Sequence, residues 1–224
     1  HPHGSHGGDT RLIRHAVGEG LQYIPLALRS QEMWNELQTH SNDEIFRQTG
    51  ILNFGYKGSG FLEKTIEGAK DYDLDIETLT VEEMQKRWPG LHGEDLEIGY
   101  YEKKGGVIMG ENAIRTYRRL ALSNGAELLV DTPVNSIHPE TGHVRIETEH
   151  DTFTADRLVL TSGAQNGLML KALGLDLKIQ PSRRTIAWFE ADDNLYSSEH
   201  FPGFIGRSRN GSYYGFSSID GTGV

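Results

Sequence analysis

Two kinds of hydrophobic pattern alternate along this chain, and the alternation changes character more than once. Helix-like segments with short strands fill the first half, whereas closely spaced strand-like segments dominate after residue 125. A single domain built from one arrangement of packed layers would show one pattern throughout. We therefore expect the chain to leave one domain, enter a second and return. No Pro/Ser-rich linker separates the segments, which favours two interleaved domains over two consecutive ones.

Apolar residues at helical spacing predict helices over residues 25–38, 60–71, 80–88, 111–123 and 164–173. Pro25 suits a first helical turn, Thr80 and Glu83 have the spacing of a capping box, and Asn124-Gly125 ends a helix because glycine accepts the left-handed cap conformation. The predicted inward residues of the first and fourth helices are Leu26, Ser30, Met33, Trp34 and Leu37, and Ile114, Tyr117, Leu120 and Ala121, respectively.

Strand-like segments separate these helices. We expect a hairpin over residues 45–54, folded at Thr49-Gly50, and two strands around the turn Lys104-Gly105-Gly106. Further strands are predicted at residues 126–130, 134–138, 143–148, 152–155, 157–161, 184–191 and 212–217. The fold class is therefore α/β or α+β.

Composition restricts the possible partners. The chain has 32 acidic and 22 basic residues, a formal net charge of −10, and its basic residues are scattered. A nucleic-acid partner is therefore not expected, because duplex binding needs a basic surface. No run of about 18 apolar residues predicts a membrane span. The sequence has no cysteine, which excludes disulfides and a thiol nucleophile in this stretch and fits a cytoplasmic location.

The segment HGGDTRLIRHA, residues 6–16, has the residues best suited to chemistry. Gly7 and Gly8 let backbone approach a ligand closely. Arg11 and Arg14 would share one face of a helical turn, and paired guanidinium groups suit a carboxylate or a phosphate. A surface turn with two solvated arginines would have the same sequence, so that alternative stays open.

Three further signals are weaker. Gly163 and Ala164 follow a strand-like run, where backbone N–H groups can face an anion, although a plain strand-to-helix turn would look the same. Tyr213 and Tyr214 would alternate in and out on a strand. A glycine-rich loop offers no scaffold for metal ligands, so we predict no functional metal site from His1, His3, His6 and Asp9.

The order of several motifs resembles one known family. HGGDTRLIRHAVGEG is similar to the region just after the first βαβ unit of monomeric sarcosine oxidases and N-methyltryptophan oxidases. The similarity continues in order through YIPLALRSQEMWNEL, TGILNFG, KRWPG, GVIMGENAIRTYRRLA, RLVLTSGA, IQPSRRTIAWFEAD, FPGF and NGSYYGF. It thus extends over nearly the whole chain.

The resemblance implies an FAD-dependent enzyme that oxidises N-methyl amino acids with oxygen and releases hydrogen peroxide and formaldehyde. It implies a Rossmann-like FAD-binding domain, incomplete in this chain, interleaved with a mixed, largely antiparallel substrate domain. We assign residues 1–44 and 111–178 to the FAD-binding domain and residues 45–110 and 179–224 to the substrate domain. The complete protein is expected to be a monomer.

The resemblance also implies roles for residues at matching positions. Arg11 falls where the family has an arginine close to the flavin, and Arg14 falls where a second arginine pairs with the substrate carboxylate. Tyr214 falls on a tyrosine that lines the substrate cavity. These three residues are the predicted catalytic set.

The predicted cofactor-binding set is Arg11 together with His6, Val134, Gly163 and Ala164. His6 falls on a histidine of the flavin region, Val134 on a residue near the adenine, and the other two on a turn that faces FAD. The chain departs from the family at Gly7, where a second histidine is common, and at Gln165, where a tryptophan is common. The resemblance puts those two contacts in doubt.

Parts of the family's site are missing from this sequence. No Gly-x-Gly-x-x-Gly motif follows a strand, and the family's flavin-linking cysteine and two functional lysines fall beyond Val224. We therefore expect an internal segment that holds no FAD and is inactive alone, with cut strand edges that favour self-association. Two alternatives stay open: a folded segment without cofactor or catalysis, and a related flavin oxidase for glycine, pipecolate or glycated amino acids.

Overall fold

A computed structural model describes residue 4, residues 7–221 and residues 223–224. The chain forms two compact units. The larger unit contains residues 8–117 and 186–224, and the smaller unit contains residues 118–185 together with the described residues 4 and 7. These boundaries differ from the four-segment assignment to FAD-binding and substrate domains, which stays a prediction.

Helices and strands alternate as the sequence predicts, and the bounds are as follows. The strands of the described residues are β1 (Thr10–Ile13), β2 (Phe46–Arg47), β3 (Ile51–Gly55), β4 (Ile76–Leu79), β5 (Ile98–Glu102), β6 (Gly106–Met109), β7 (Val134–Glu140), β8 (His143–Thr148), β9 (Thr152–Ala155), β10 (Gly203–Ser208) and β11 (Gly211–Gly215). The α-helices are α1 (Ile24–Gln38), α2 (Phe61–Asp71), α3 (Val81–Arg87), α4 (Gly110–Ser123), α5 (Asn166–Ala172) and α6 (Asp193–Tyr196).

Two sheets build the larger unit. One has the order β1-β6-β2 and the other the order β11-β10-β3-β5-β4. Only the β10–β3 pair is parallel among the described strands. The predicted hairpin over residues 45–54 is wrong, because β2 and β3 belong to different sheets. The N–H of Gly50 donates to the carbonyl of Gly105 at 3.0 Å, so the chain crosses from one sheet to the other there.

The five-stranded sheet has two unlike faces. Against one face, α3 and the following loop complete an apolar core around Leu52 and Phe54. On the opposite face, Tyr100 packs with Leu62 of α2 and with Ala16. Directly opposed residues of paired strands point to the same side of a sheet. The row Tyr214, Ile205, Asn53 and Tyr100 therefore lies on this second face, which we name the α2 face.

Local helix signals hold, but the inward face predicted for α1 is right at Leu37 and wrong at Leu26 and Met33, and the inward face predicted for α4 is wrong. Thr80 and Glu83 form the predicted capping box. On α1 the buried residues are Ile24 and Leu37, whereas Leu26 is 65% exposed. On α4 the structure buries Ala113 and Thr116 instead of the predicted residues. The reason is polar: the side chains of Asn112, Arg115 and Thr116 bond to residues 41–44 and turn that side of α4 inward.

The smaller unit contains the antiparallel sheet β7-β8-β9. This confirms the strands predicted at residues 134–138, 143–148 and 152–155. The structure has no strand at residues 126–130, 157–161 or 184–191, all of which it describes, so those predictions are wrong. Val159 is 81% exposed. A strand forms only where a neighbour completes its hydrogen-bond ladder, and these apolar segments pair with no described strand. Phe189 and Val224 exchange just one pair of backbone bonds.

Gly106 marks a position where the three-stranded sheet tolerates no side chain. A Cβ there would lie 2.2 Å from the carbonyl oxygen of Arg47 and 2.8 Å from a ring carbon of Phe46. We expect Gly106→Ala to lower the free energy of unfolding by about 2 kcal/mol, since backbone must shift to admit the methyl group. Gly93→Ala is the matched control, because a Cβ at Gly93 meets nothing within 4 Å. Equal urea midpoints for the two variants would contradict the expectation.

Candidate active site

The segment that carries Arg11 and Arg14 is a strand and the loop after it, not a helical turn. β1 pairs antiparallel with β6, with Arg11 opposite Ile108. The Arg11 guanidinium donates to the carbonyl of Thr10 at 2.6 Å. A Cβ on Gly8 would lie 3.2 Å from Nη1 of Arg11, so the glycine leaves this guanidinium its room. Arg14 follows the last strand residue by one position.

Arg14 already holds a carboxylate. Its guanidinium donates to Oε1 of Glu19 at 2.6 Å and to the carbonyl of Ala16 at 3.2 Å. Desolvation acts to raise the pKa of Glu19, but the hydrogen bond and charge of Arg14 outweigh it and the pKa lies below its usual value. Glu19 is thus anionic at neutral pH. Its side chain is 51% exposed, against 20% for Arg14, so the carboxylate lies nearer the solvent.

The backbone after Arg14 is fixed by a buried carboxylate. Glu102 accepts the N–H groups of His15 and Ala16 at 2.7 and 3.1 Å, and its Oε1 lies 2.6 Å from Nδ1 of His15. Both side chains are buried, at 2% and 6% exposure. A buried carboxylate is tolerated where several donors satisfy its oxygens. Glu102 therefore joins the end of β5 to the loop that begins with Arg14.

Tyr100 supports the same loop from the α2 face. Its hydroxyl donates to the carbonyl of Ala16 at 3.4 Å. Burial is the main cause that raises the pKa of Tyr100, so the phenol stays protonated and remains a donor. Tyr100 and Glu102 are two residues apart on β5 and point to one side. Together they orient the loop that carries Arg14.

Tyr214 shares the α2 face with Tyr100. It is 59% exposed and its ring lies 6.1 Å from that of Phe216. Three strand spacings separate it from Tyr100 along the row, about 14 Å at 4.8 Å each. The larger unit thus brings Arg14 and Tyr214 to one face of one sheet without direct contact between Tyr214 and Tyr100.

The remaining cofactor candidates belong to the smaller unit, apart from His6, which lies outside the described residues. Val134 begins β7 and is 39% exposed. Gly163, with φ of 57°, and Ala164 open a short 3-10 turn that leads into α5. The first N–H groups of such a turn have no partner within the helix. The predicted role of this turn in binding FAD stays a prediction.

Several site residues escaped the sequence reasoning. Asn53 interrupts the apolar run ILNF, and a polar residue inside a buried strand was a usable signal. It is 1% exposed and its Nδ2 has no hydrogen-bond partner among the described residues. Glu19 lies between two glycines, which gave no hint of its contact. The pairing of Glu102 with His15 joins positions 87 apart, and spacing along the chain cannot reveal it.

No group of three potential ligands in the described part of the chain could hold a metal ion. Of the histidine-rich cluster, only Asp9 is described, and His1, His3 and His6 lie outside. Among the described residues, no helix is long and apolar enough to cross a membrane.

Comparison with known proteins gives consistent matches. Residues 1–224 match the family model described as FAD dependent oxidoreductase. The chain is 45% identical to the monomeric sarcosine oxidase of Bacillus sp. (strain B-0618), with 100% of this chain and 58% of that protein covered. It is 41% identical to the N-methyl-L-tryptophan oxidase of Salmonella typhimurium (strain LT2), with 96% and 57% covered. The chain therefore spans less than two thirds of these curated relatives.

Solved structures with little sequence identity share the fold. One is NikD, an unusual amino acid oxidase essential for nikkomycin biosynthesis, with a TM-score of 0.74, 18% identity and coverage of 94% of this chain and 55% of that chain. Another is the glycine oxidase from Geobacillus kaustophilus, with a TM-score of 0.67, 21% identity and coverage of 78% and 50%. The predicted fold class is confirmed.

The Glu102 contact predicts a large effect on stability. We expect Glu102→Gln to lower the free energy of unfolding by about 2–4 kcal/mol, because an amide cannot accept all the donors that a buried carboxylate holds. The control is Glu77→Gln, since Glu77 pairs with Arg87 at the surface, where ion pairs contribute little. Urea denaturation measures both variants. A loss for Glu102→Gln no larger than the control's would refute the role of Glu102.

Proposed function

Since this chain belongs to the FAD dependent oxidoreductase family, we propose that it forms part of an oxidase that demethylates N-methyl amino acids such as sarcosine or N-methyltryptophan. Identities of 41–45% to enzymes named for those two substrates support the choice. The observation that carries the proposal is Arg14, a part-buried guanidinium on a fixed loop with a carboxylate bound at 2.6 Å. The complete protein's activity, monomeric state and cytoplasmic location remain predictions.

Arg14 would clamp the carboxylate of the substrate. An arginine fork matches a carboxylate in geometry and charge. Glu19 occupies that position now, so the substrate carboxylate has to displace it. Glu102 and Tyr100 keep the backbone of the loop in place while the two carboxylates exchange. Tyr214, on the same face of the sheet, would orient the rest of the amine.

Arg11 would supply positive charge from β1. Bound FAD would supply the two-electron oxidation of the N-methyl C–N bond with oxygen as the final electron acceptor, so that oxygen would leave as hydrogen peroxide and hydrolysis of the oxidised amine would release formaldehyde. A fixed cation beside the site where negative charge develops commonly contributes a few kcal/mol. Arg11 is such a cation, since its guanidinium is tied to the adjacent carbonyl. His6, Val134, Gly163 and Ala164 would hold the cofactor.

Removing Arg14 tests the clamp. In the complete protein we expect Arg14→Ala to lower kcat/KM for sarcosine by about 100-fold, because charge-assisted hydrogen bonds to the carboxylate are lost. A carboxylate-free amine such as N-methylpropylamine should be affected far less. Peroxide release measures both rates. The control is Arg29→Ala, which removes a surface arginine of α1 paired with Glu32 and Glu36. An unchanged ratio between the two substrates would sink the assignment.

Visible absorption separates the catalytic proposal from the alternative without cofactor. We expect the purified 224-residue chain to show no flavin bands, because its sequence lacks the glycine-rich turn that cradles the pyrophosphate. The complete protein should be yellow and should release peroxide with sarcosine or N-methyltryptophan. Faster peroxide release with glycine, pipecolate or a glycated amino acid would favour the related oxidases instead. A yellow 224-residue chain would overturn the first expectation.

A further inference from the structure

Arg207 lies on the α2 face, next to the row that carries Tyr214. On β10 it is opposite Ser212 of β11 and Gly55 of β3. Residues two apart on a strand share a face, so Arg207 and Ile205 point the same way, and Ile205 is opposite Tyr214. The predicted substrate face therefore carries a second arginine besides Arg14.

The guanidinium of Arg207 is held in place but not neutralised. Its Cζ lies 3.3 Å from the centre of the Phe61 ring, and Nη1 donates to Oγ of Ser212 at 3.1 Å. The buried Nε has no hydrogen-bond partner, and no carboxylate of the described residues lies within ion-pair distance. Burial lowers the pKa of Arg207, with the attraction of Glu19 opposing that effect.

Two neighbouring arginines, unlike Arg207, are paired with carboxylates. Arg209 is paired with the carboxylates of Asp95 and Glu97, and Arg14 is paired with Glu19. Arg207 has five donor hydrogens and one described acceptor, Ser212. Arg207 is partly buried, and a partly desolvated cation with spare donors is stabilised when an anion completes it. The arrangement therefore suits a ligand that brings negative charge.

Space for such a ligand exists beside the guanidinium. Arg207 lines a cavity of about 270 Å³ together with Tyr56, Ser59 and Ser212. A second cavity of about 230 Å³ beside Arg207 is lined by Glu94 and Asp95, whose carboxylates would repel an anion, so the ligand is placed in the first cavity. Hydroxyl groups there could donate further hydrogen bonds to an anion. The cavity walls are thus polar, as a charged group requires.

The loop of Arg14 and the side chain of Arg207 meet at one aromatic ring. A Cβ on Gly18 would lie 2.4 Å from Cζ of Phe61, so the loop packs tightly on that ring, and Arg207 stacks on it as well. Glu19 is the acidic group of this loop, and Arg14 neutralises it. A ligand with two acidic groups could therefore bind both arginines, one on each side of this contact.

We propose that Arg207 binds a carboxylate on the side chain of the substrate and so directs the enzyme toward N-methyl amino acids with acidic side chains. This inference rests on the proposed function, in which Arg14 takes the α-carboxylate. Arg207 is in this view a specificity-determining residue rather than a catalytic one.

The test compares two substrates of nearly equal shape in the complete protein. We expect kcat/KM to favour N-methyl-L-glutamate over N-methyl-L-glutamine by about tenfold or more, and Arg207→Met to abolish that preference, since a charge-assisted pair is lost. Arg207→Lys, which keeps the charge without the fork, should retain part of it. The control is Arg87→Met, because Arg87 also stacks on an aromatic ring but is paired with Glu77.

A binding measurement keeps this test separate from the proposed function. Calorimetric titration with glutarate should show a Kd about tenfold weaker for Arg207→Met than for the unmodified protein and for Arg87→Met. If the unmodified complete protein does not oxidise sarcosine but the difference in glutarate affinity is present, the proposed function is overturned and the role of Arg207 in binding a carboxylate is not. Equal glutarate affinity in all variants, or an unmodified enzyme indifferent between the two substrates, would overturn the role of Arg207. Circular dichroism checks that each variant is folded. If Arg207→Met does not fold, the comparison is made with Arg207→Lys.

Discussion

The larger unit depends on one buried carboxylate. Glu102 ends β5 of the five-stranded sheet, and the N–H groups it accepts belong to His15 and Ala16, just after β1 of the three-stranded sheet. An unpaired carboxylate at this depth would be strongly unfavourable, whereas one with three donors is stable. The contact therefore fixes the two sheets against each other through polar geometry. This contact also positions the loop that begins at Arg14.

The two faces of the five-stranded sheet carry different side chains: one packs against the apolar core, and the other carries the polar residues of the candidate site. Apolar side chains from β3, α3 and the loop after α3 fill one face. The other face carries Tyr100, Asn53 and Tyr214 in one row and Arg207 in the next. Because side chains alternate along each strand, the same β-strands that build the core also display the polar groups. A rigid core thus supports the candidate site directly.

Local features of the fold were predictable from sequence, and non-local ones were not. The capping box at Thr80 and the helix end at Gly125 depend on residues within one turn, and both are present. The hairpin over residues 45–54 failed because the partner of β2 is β6, about sixty residues later, a distance that no turn signal encodes. The apolar segment around Val159 has a strand pattern, but pattern alone provides no neighbour with which to pair.

For the site, motif order identified the family and the two arginines, since each motif is a contiguous run of residues. It gave no access to Glu19, Glu102 or Arg207, whose importance lies in contacts across the fold. The roles proposed for Arg11, Arg14 and Tyr214 rest on resemblance, whereas their positions on β1, the following loop and β11 come from the structure. Asn53 was the one missed residue with a visible sequence signal, a polar side chain inside an apolar strand.

The contact between Glu19 and Arg14 has a consequence for selectivity among small anions. Glu19 is tethered five residues from Arg14, so it competes as an intramolecular ligand at a fixed, high effective concentration. A free monocarboxylate such as acetate has to outcompete it with a single ion pair and gains nothing in the exchange. A ligand attached at a second point can displace Glu19. If Arg14 binds the substrate carboxylate as proposed, the resident carboxylate of Glu19 would favour ligands that are anchored at a second point.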